Sequence, residues 1–225
     1  MSRPWQVLDR VTTAEGTLEL RRRGDRDFLM TVAGRVLMNS VHHRSEAVLG
    51  TLGCRGLAGR RGARVLVGGL GMGFTLRTAL DALAADAWVV VAEINPAVVR
   101  WCTGPLAELA GGAVRDSRVE VRVADVADVI RGAAAPGANR FDAVILDLYE
   151  GPHAGCGKGD DPLYGRGAVD RTRAALRPGG AWAVWGEAYD EGFEKRLRAA
   201  GFSVSTHRPG RGGLRHVVYL ATAPG

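Results

Sequence analysis

The sequence predicts an α/β fold: a mostly parallel sheet wrapped by helices and preceded by a small antiparallel β extension. Three observations carry that prediction. From Arg64 onward, apolar runs at 64–68, 88–93, 118–123, 141–147 and 181–186 alternate with helical patterns at 73–85, 96–110, 125–133, 166–177 and 190–200. Continuous apolar strands separated by helices are buried on both faces, which implies parallel strands with right-handed crossovers. The first forty residues differ, with apolar segments Trp5–Val11, Thr17–Arg21, Phe28–Val32 and Arg35–Val41 broken by turn signals at Glu15-Gly16, Gly24-Asp25 and Ala33-Gly34, the pattern of a β meander. The third observation is the ending. Phe202–His207, the turn-rich 209–213 and Leu214–Ala223 read as an antiparallel hairpin in place of another βαβ unit.

The meander predicts an extension over residues 1–43, and the remainder, 44–225, predicts one Rossmann-like domain. Between them Ser45-Glu46 opens an apolar-periodic helix that runs to Leu57 and breaks in Gly59–Gly62. The chain has 225 residues, 46% hydrophobic and 24% charged, so it buries an ordinary core, and disorder and rod-like folds are excluded. Its longest apolar stretches, Val65–Phe74 and Trp88–Ala92, fall short of the ~20 residues a membrane span needs, and the opening MSRPWQVLDR has no apolar targeting core. Cys54, Cys102 and Cys156 show no metal-ligand spacing and read as free thiols of a reducing compartment, so a cytoplasmic protein without a metal is expected. The net charge of +6 comes from scattered arginines, with Lys158 and Lys195 the only lysines. Neither nucleic acid nor membrane is an expected partner.

The strongest local signal is Val65-Leu66-Val67-Gly68-Gly69-Leu70-Gly71-Met72-Gly73, a strand running into a glycine loop and a helix. Such a loop lets backbone approach a ligand closely, and the helix start offers unpaired N–H groups. The second strand ends in Glu93, placed to accept from ribose hydroxyls, and the third in Ala124-Asp125, placed to accept from an adenine amine. Each acid has a plainer reading as a cap of the helix that follows. The fourth strand, Phe141–Asp147, leads into Leu148-Tyr149-Glu150-Gly151-Pro152. Strand 4 normally lies beside strand 1, so Asp147 is expected across the cleft from the glycine loop, with Glu150 three residues on. Paired carboxylates suit a cationic amine: they bind the ammonium, and one takes a proton to free a lone pair. The small and polar residues of Gly151–Gly165 read as a lid, and His153 and Cys156 within it read as loop residues, not as a nucleophile pair.

Taken in order, Gly69–Arg77, Ala92-Glu93-Ile94-Asn95-Pro96, Ala124-Asp125 and Phe141–Pro152 resemble the successive motifs of the spermidine synthase family, and Asp27–Val41 leading to Ser45-Glu46 resembles that family's amino-terminal β extension. The resemblance implies the seven-stranded AdoMet-dependent transferase sheet with its antiparallel terminal hairpin. It also implies an aminopropyl transfer from decarboxylated S-adenosylmethionine, or the use of S-adenosylmethionine itself, to a small-molecule amine, with methylthioadenosine released. Members often associate, so a homodimer is open. By the same resemblance Gly69, Gly71, Met72 and Gly73 line the donor, Glu93 holds the ribose, Asp125 the adenine, and Asp147 is the general base beside Glu150. Met72 stands where the family has an Asp that recognises the aminopropyl ammonium, Glu150 where it has a second Asp, Val169 where it has a tyrosine and Trp185 where it has a glutamine. Tyr149, Trp185 and Glu187, with Tyr189 nearby, are therefore the candidates for a rebuilt acceptor pocket. Methyl transfer on the same fold is the alternative, since Met72 removes an anion beside the donor tail; a catalytically inactive nucleoside-binding homologue is another. The terminal hairpin speaks against an NAD oxidoreductase.

Overall fold

A computed structural model describes residues 3–157, 161–209 and 216–225. Four antiparallel strands come first, β1 (Gln6–Thr13), β2 (Gly16–Arg23), β3 (Asp27–Val32) and β4 (Arg35–Asn39), in sheet order β1-β2-β3-β4. Their inward side chains Leu18, Leu20, Phe28, Met30 and Val32 are buried in the same cluster as residues of the main sheet. The Trp101 indole donates to Asp9 at 2.7 Å and ties β1 to the domain behind it. Helix α1 (Arg44–Cys54) follows, with a 3₁₀ turn at Arg55–Leu57.

The main sheet alternates as the sequence predicts: β5 (Arg64–Gly68), α2 (Phe74–Ala82), β6 (Trp88–Glu93), α3 (Pro96–Thr103), β7 (Val119–Val123), α4 (Val126–Ala133), β8 (Phe141–Leu146), α5 (Arg166–Ala175), β9 (Leu176–Gly186), α6 (Glu191–Ala199), β10 (Ser203–His207) and β11 (Val217–Thr222). The strand order is β10-β11-β9-β8-β5-β6-β7. Strands β5 to β9 are parallel, and β11 runs antiparallel between β9 and β10. The terminal hairpin therefore inserts its second strand into the sheet. Part of its turn, residues 210–215, lies outside the described residues, as does Lys158 of the expected lid.

Two elements differ from the sequence expectation for physical reasons. The helix expected over 96–110 ends at Thr103, because Gly104-Pro105 follows and a proline disfavours helical geometry in the residue before it. The fifth strand starts at Leu176, not 181: Phe141 pairs with Leu176, Ala143 pairs with Ala181, and the turn-like Pro178-Gly179-Gly180 is absorbed as an irregularity inside one strand.

Reversal of strand order on either side of β5 and β8 opens a crevice at their carboxyl ends, where open α/β sheets bind ligands. One face of the sheet packs α1 and α2. The other buries Trp182, Phe193 and Tyr219, with Phe193 edge-on to both rings. Aromatic packing of this kind anchors the strands whose tips form the crevice.

Candidate active site at the carboxyl ends of the strands

The crevice begins where β5 meets its loop. Gly69 has φ +84°, and a Cβ there would run into the carbonyl oxygen of Asp147, so only glycine lets the loop touch the tip of β8. The Asp147 N–H donates to the Gly68 carbonyl at 2.8 Å and the Gly69 N–H to the Ala92 carbonyl at 2.9 Å, lacing three strand ends together. Gly71 faces Met38 of β4, and Gly73 is the residue that opens α2. Met72 has no exposed surface and lies in the core cluster, so the position that carries an acid in the resembled family is filled here by a buried apolar side chain.

The two strand-end acids on the other side are already engaged. Glu93 is 7% exposed and accepts from the Leu70 N–H at 2.9 Å and the Asn95 N–H at 2.8 Å. Burial pushes its carboxyl up from the usual range, against the pull of these backbone donors. Asp125 is exposed and caps α4 through the Ala127 N–H at 2.8 Å. Asp125 thus takes the plainer role of a helix cap, whereas Glu93 braces the glycine loop and leaves the cap of α3 to Asn95, which accepts the Ala97 N–H at 2.9 Å; the remaining lone pairs of both acids stay open to hydroxyl or amine donors. Beside them Ile94 and Val123 expose 71% and 57% of their surface, apolar groups at the strand tips that the motif reading did not single out.

At the tip of β8 the situation changes. Asp147 accepts the Thr75 hydroxyl at 2.6 Å from the first turn of α2, and no Lys or Arg pairs with it among the described residues. Burial, with the Glu46 carboxylate as a second cause, raises its pKa to about 7, while the Thr75 hydrogen bond works the other way. Glu46 sits in the first turn of α1, 9% exposed, and accepts the Ser45 hydroxyl at 2.6 Å. Ser45 Oγ is also 3.1 Å from His216 Nδ1. The one serine proton goes to the carboxylate, so Nδ1 carries a proton and donates to Ser45. The His216 ring meets Trp185 edge-on at 4.9 Å between centroids. Two further groups have no hydrogen-bond partner among the described residues: the buried indole N–H of Trp185 and the hydroxyl of Tyr164, a residue only 5% exposed. Burial above all, then Asp161, Cys156 and Asp147, holds the Tyr164 proton in place.

The remaining candidates lie further out. Glu150 is exposed and pairs with Arg35 of β4 at 3.6 Å, with His153 at 3.9 Å. The same Arg35 lies over the Tyr149 ring at 5.1 Å. Gly151, φ +64°, leans so close to the carbonyl of Trp185 that a Cβ would collide with it, which fastens this loop to the end of β9. Glu187 is exposed, and Tyr189 bonds Glu194 of α6 at 3.1 Å and stacks on Tyr219, away from the Asp147 cluster. Cys156 is buried in a 3₁₀ turn. Among the described residues no group of three or more His, Cys, Asp and Glu is arranged to hold a metal ion, and no helix is long and apolar enough to cross a membrane.

Sequence reasoning thus singled out Asp147 and the loop but missed Glu46, Ser45, Thr75 and His216 around it and Arg35 beside Glu150. Ser45-Glu46 was visible only as a helix start, and Thr75 only as the second residue after the glycine loop. His216 offered no signal, since its approach to Ser45 spans 171 residues of chain.

No family model matches the chain. Among curated proteins it is 33% identical over 153 residues to the polyamine aminopropyltransferase of Mycobacterium tuberculosis, covering 65% of this chain and 28% of that protein. It is 34% identical over 137 residues to polyamine aminopropyltransferase 1 of Hyperthermus butylicus, covering 59% and 44%. The chain therefore matches less than half the length of either relative. Among solved structures, spermidine synthase from Thermotoga maritima superposes with a TM-score of 0.72 at 18% identity over 98% of this chain and 73% of that one. A spermidine synthase in complex with the transition state analogue AdoDATO gives 0.71 at 17% identity over the same shares. Human methyltransferase-like protein 13 in complex with SAH gives 0.61 at 19% identity, covering 80% and 82%. These likenesses show the fold, one shared by spermidine synthases and a methyltransferase-like protein, and over about two thirds of the chain the sequence is similar to polyamine aminopropyltransferases.

Proposed function

We propose that the protein transfers an aminopropyl group from decarboxylated S-adenosylmethionine to a small amine and releases methylthioadenosine. The observation that carries this reading is Asp147: a carboxylate without a cationic partner among the described residues, placed across the glycine loop at the crevice, with a pKa of about 7. An alkyl amine has a pKa near ~10.4 and is almost wholly protonated at neutral pH, so it needs a base matched to the working pH before it can attack. In this reading the ammonium passes one proton to Asp147. The freed lone pair forms the new C–N bond on the carbon next to sulfur, the C–S bond breaks, and sulfur keeps the electron pair as a neutral thioether. Alignment of nitrogen, carbon and sulfur supplies the rest.

Gly69, Gly71 and Gly73 let the backbone close on the donor, Glu93 and Asp125 offer their free lone pairs to the ribose and the adenine, and Ile94 and Val123 give the base an apolar bed. Tyr149, Trp185 and Glu187 lie on the acceptor side, the described residues of the 151–165 segment cover it, and the sequence divides into an extension over 1–43 and a transferase domain over 44–225. The relatives' names support the substrate class. Met72 favours a second reading, methyl transfer from S-adenosylmethionine, because its buried side chain leaves the donor tail without an acid to recognise an ammonium. Incubation with decarboxylated S-adenosylmethionine and a panel of diamines separates the two: methylthioadenosine is expected. No methylthioadenosine with any amine, together with adenosylhomocysteine formed from S-adenosylmethionine, overturns aminopropyl transfer in favour of methyl transfer.

A further inference from the structure

We propose that Glu46, not Glu150, is the carboxylate that works with Asp147 to hold the acceptor's ammonium, and that Ser45 and His216 position it. The inference rests on the acceptor being an amine and identifies the groups that recognise it.

Glu150 is poorly suited to the task. It is half-exposed, its charge is met by Arg35 at 3.6 Å, and Arg35 also lies over the neighbouring Tyr149 ring. An incoming cation there must displace a cation already present, in a solvated setting where ion pairs are weak. Glu46 differs on each count. It is 9% exposed, and no Lys or Arg pairs with it among the described residues. Among the described residues its only hydrogen-bond donor is the Ser45 hydroxyl at 2.6 Å, on Oε2, and none of them donates to Oε1.

Glu46 and Asp147 come from different elements and are joined by Thr75. That hydroxyl lies 2.6 Å from Asp147 Oδ2 and 3.3 Å from the Glu46 carbonyl. Neither carboxylate pairs with a Lys or Arg among the described residues, and repulsion from Glu46 is among the causes that raise the Asp147 pKa. A single ammonium between them relieves that repulsion and is better held by two anions than by one. The site also contains a group that nothing among the described residues satisfies: the Tyr164 hydroxyl, hidden from solvent, with Asp147 among its charged neighbours. Buried polar groups almost always find partners, so an orphan hydroxyl with Asp147 among its neighbours points to a bound polar molecule.

Orientation comes from behind. His216 Nδ1–H donates to Ser45, Ser45 donates to Glu46, and Trp185 packs edge-on against His216. This chain of contacts keeps Glu46 turned inward and provides an aromatic wall beside a cation. Ser45 and His216 act through Glu46 and are positioning residues.

The test is binding of 1,4-diaminobutane to the full chain saturated with methylthioadenosine, followed by calorimetry, with 1-butanol as the uncharged control. Glu46→Gln is expected to weaken diamine binding tenfold or more. Glu46→Asp should recover much of it, and Glu150→Gln should change it less than threefold. Ser45→Ala should cost a few-fold without altering the folded far-ultraviolet spectrum, which keeps the proposal testable if Glu46→Gln unfolds.

A pH readout separates binding from mere packing. Asp147 is faced by Glu46 from α1, Thr75 from α2 and Tyr164 from the segment before α5, with His216 behind Ser45. Removing the Glu46 charge should move the acidic limb of kcat/KM to lower pH. Equal or greater loss with Glu150→Gln, an unchanged affinity with Glu46→Gln, or no diamine binding by the unaltered protein overturns the proposal. Diamine binding that depends on Glu46 without any methylthioadenosine release overturns the transfer reading alone.

Discussion

Strand β8 carries an aspartate at each end of one apolar run, and the two could hardly be treated more differently. Asp142, near its start, is 2% exposed and fully committed: the Arg64 N–H donates to it at 2.8 Å, and Arg60 and Arg177 pair with it at 2.8 and 3.0 Å. Asp147, just past its end, has among the described residues one hydroxyl donor, no cation and an acidic neighbour. Same residue type, same strand, opposite electrostatics. The amino ends of parallel strands can be closed off by structural ion pairs, whereas the carboxyl ends form the crevice, and an acid left there without compensation is available for chemistry at a cost in stability.

The comparison is broken most sharply by Asp147→Asn. Loss of a general base removes about 10²–10⁴-fold in rate, so methylthioadenosine release with a diamine should fall by that factor. The same substitution should stabilise the protein. The folded pKa of about 7 lies above the 3.8 of a free aspartate, so the wild type loses stability as pH climbs between those values, when the unfolded chain ionises and the folded site resists. Asparagine does not titrate. Urea unfolding should therefore show the variant more stable by about 4 kcal/mol at pH 8 and the two proteins equal near pH 3. A variant less stable at pH 8 would mean that Asp147 is compensated by a partner.

Asp142→Ala should do the reverse. Removing a buried acid leaves Arg60 and Arg177 facing one another and the Arg64 amide without its acceptor. A loss of about 3 kcal/mol in unfolding free energy is expected, with kcat/KM per folded molecule nearly unchanged. A large activity loss in a well-folded Asp142→Ala protein would erase the distinction between the two ends.

How much of this was legible beforehand follows from the range over which each signal acts. Strands 64–68 and 88–93 are found where the sequence puts them, because a buried parallel strand is a continuous apolar run and needs no information from elsewhere. The start of β9 was not legible: Pro178-Gly179-Gly180 is a turn signal on local grounds, and only pairing with β8 keeps it in the sheet. Within the site, Asp147 could be read because its position in a strand places it at the crevice. That Glu93 and Asp125 brace backbone N–H groups was legible as an alternative but not decidable, since capping and ligand binding call for the same residue at the same place. Glu46, Ser45 and His216 were beyond reach, because their neighbourhood is made by α1 folding against the terminal hairpin and no spacing in the chain encodes it.

The smallest effect belongs to Thr75, and it discriminates by sign. Thr75 is 1% exposed and gives its proton to Asp147 at 2.6 Å, which favours the ionised carboxylate. Thr75→Val keeps the shape and removes the donor, so the Asp147 pKa should rise further and the acidic limb of kcat/KM should move to higher pH. At pH 8.5, where Asp147 is ionised either way, the loss should be only a few-fold. At pH 6 it should approach tenfold, because fewer molecules hold the base form. Glu46→Gln removes a negative neighbour and should shift the same limb downward. Two substitutions on opposite sides of one carboxylate, moving one profile in opposite directions, identify Asp147 as the group that titrates. Shifts of the same sign would assign the limb to another residue.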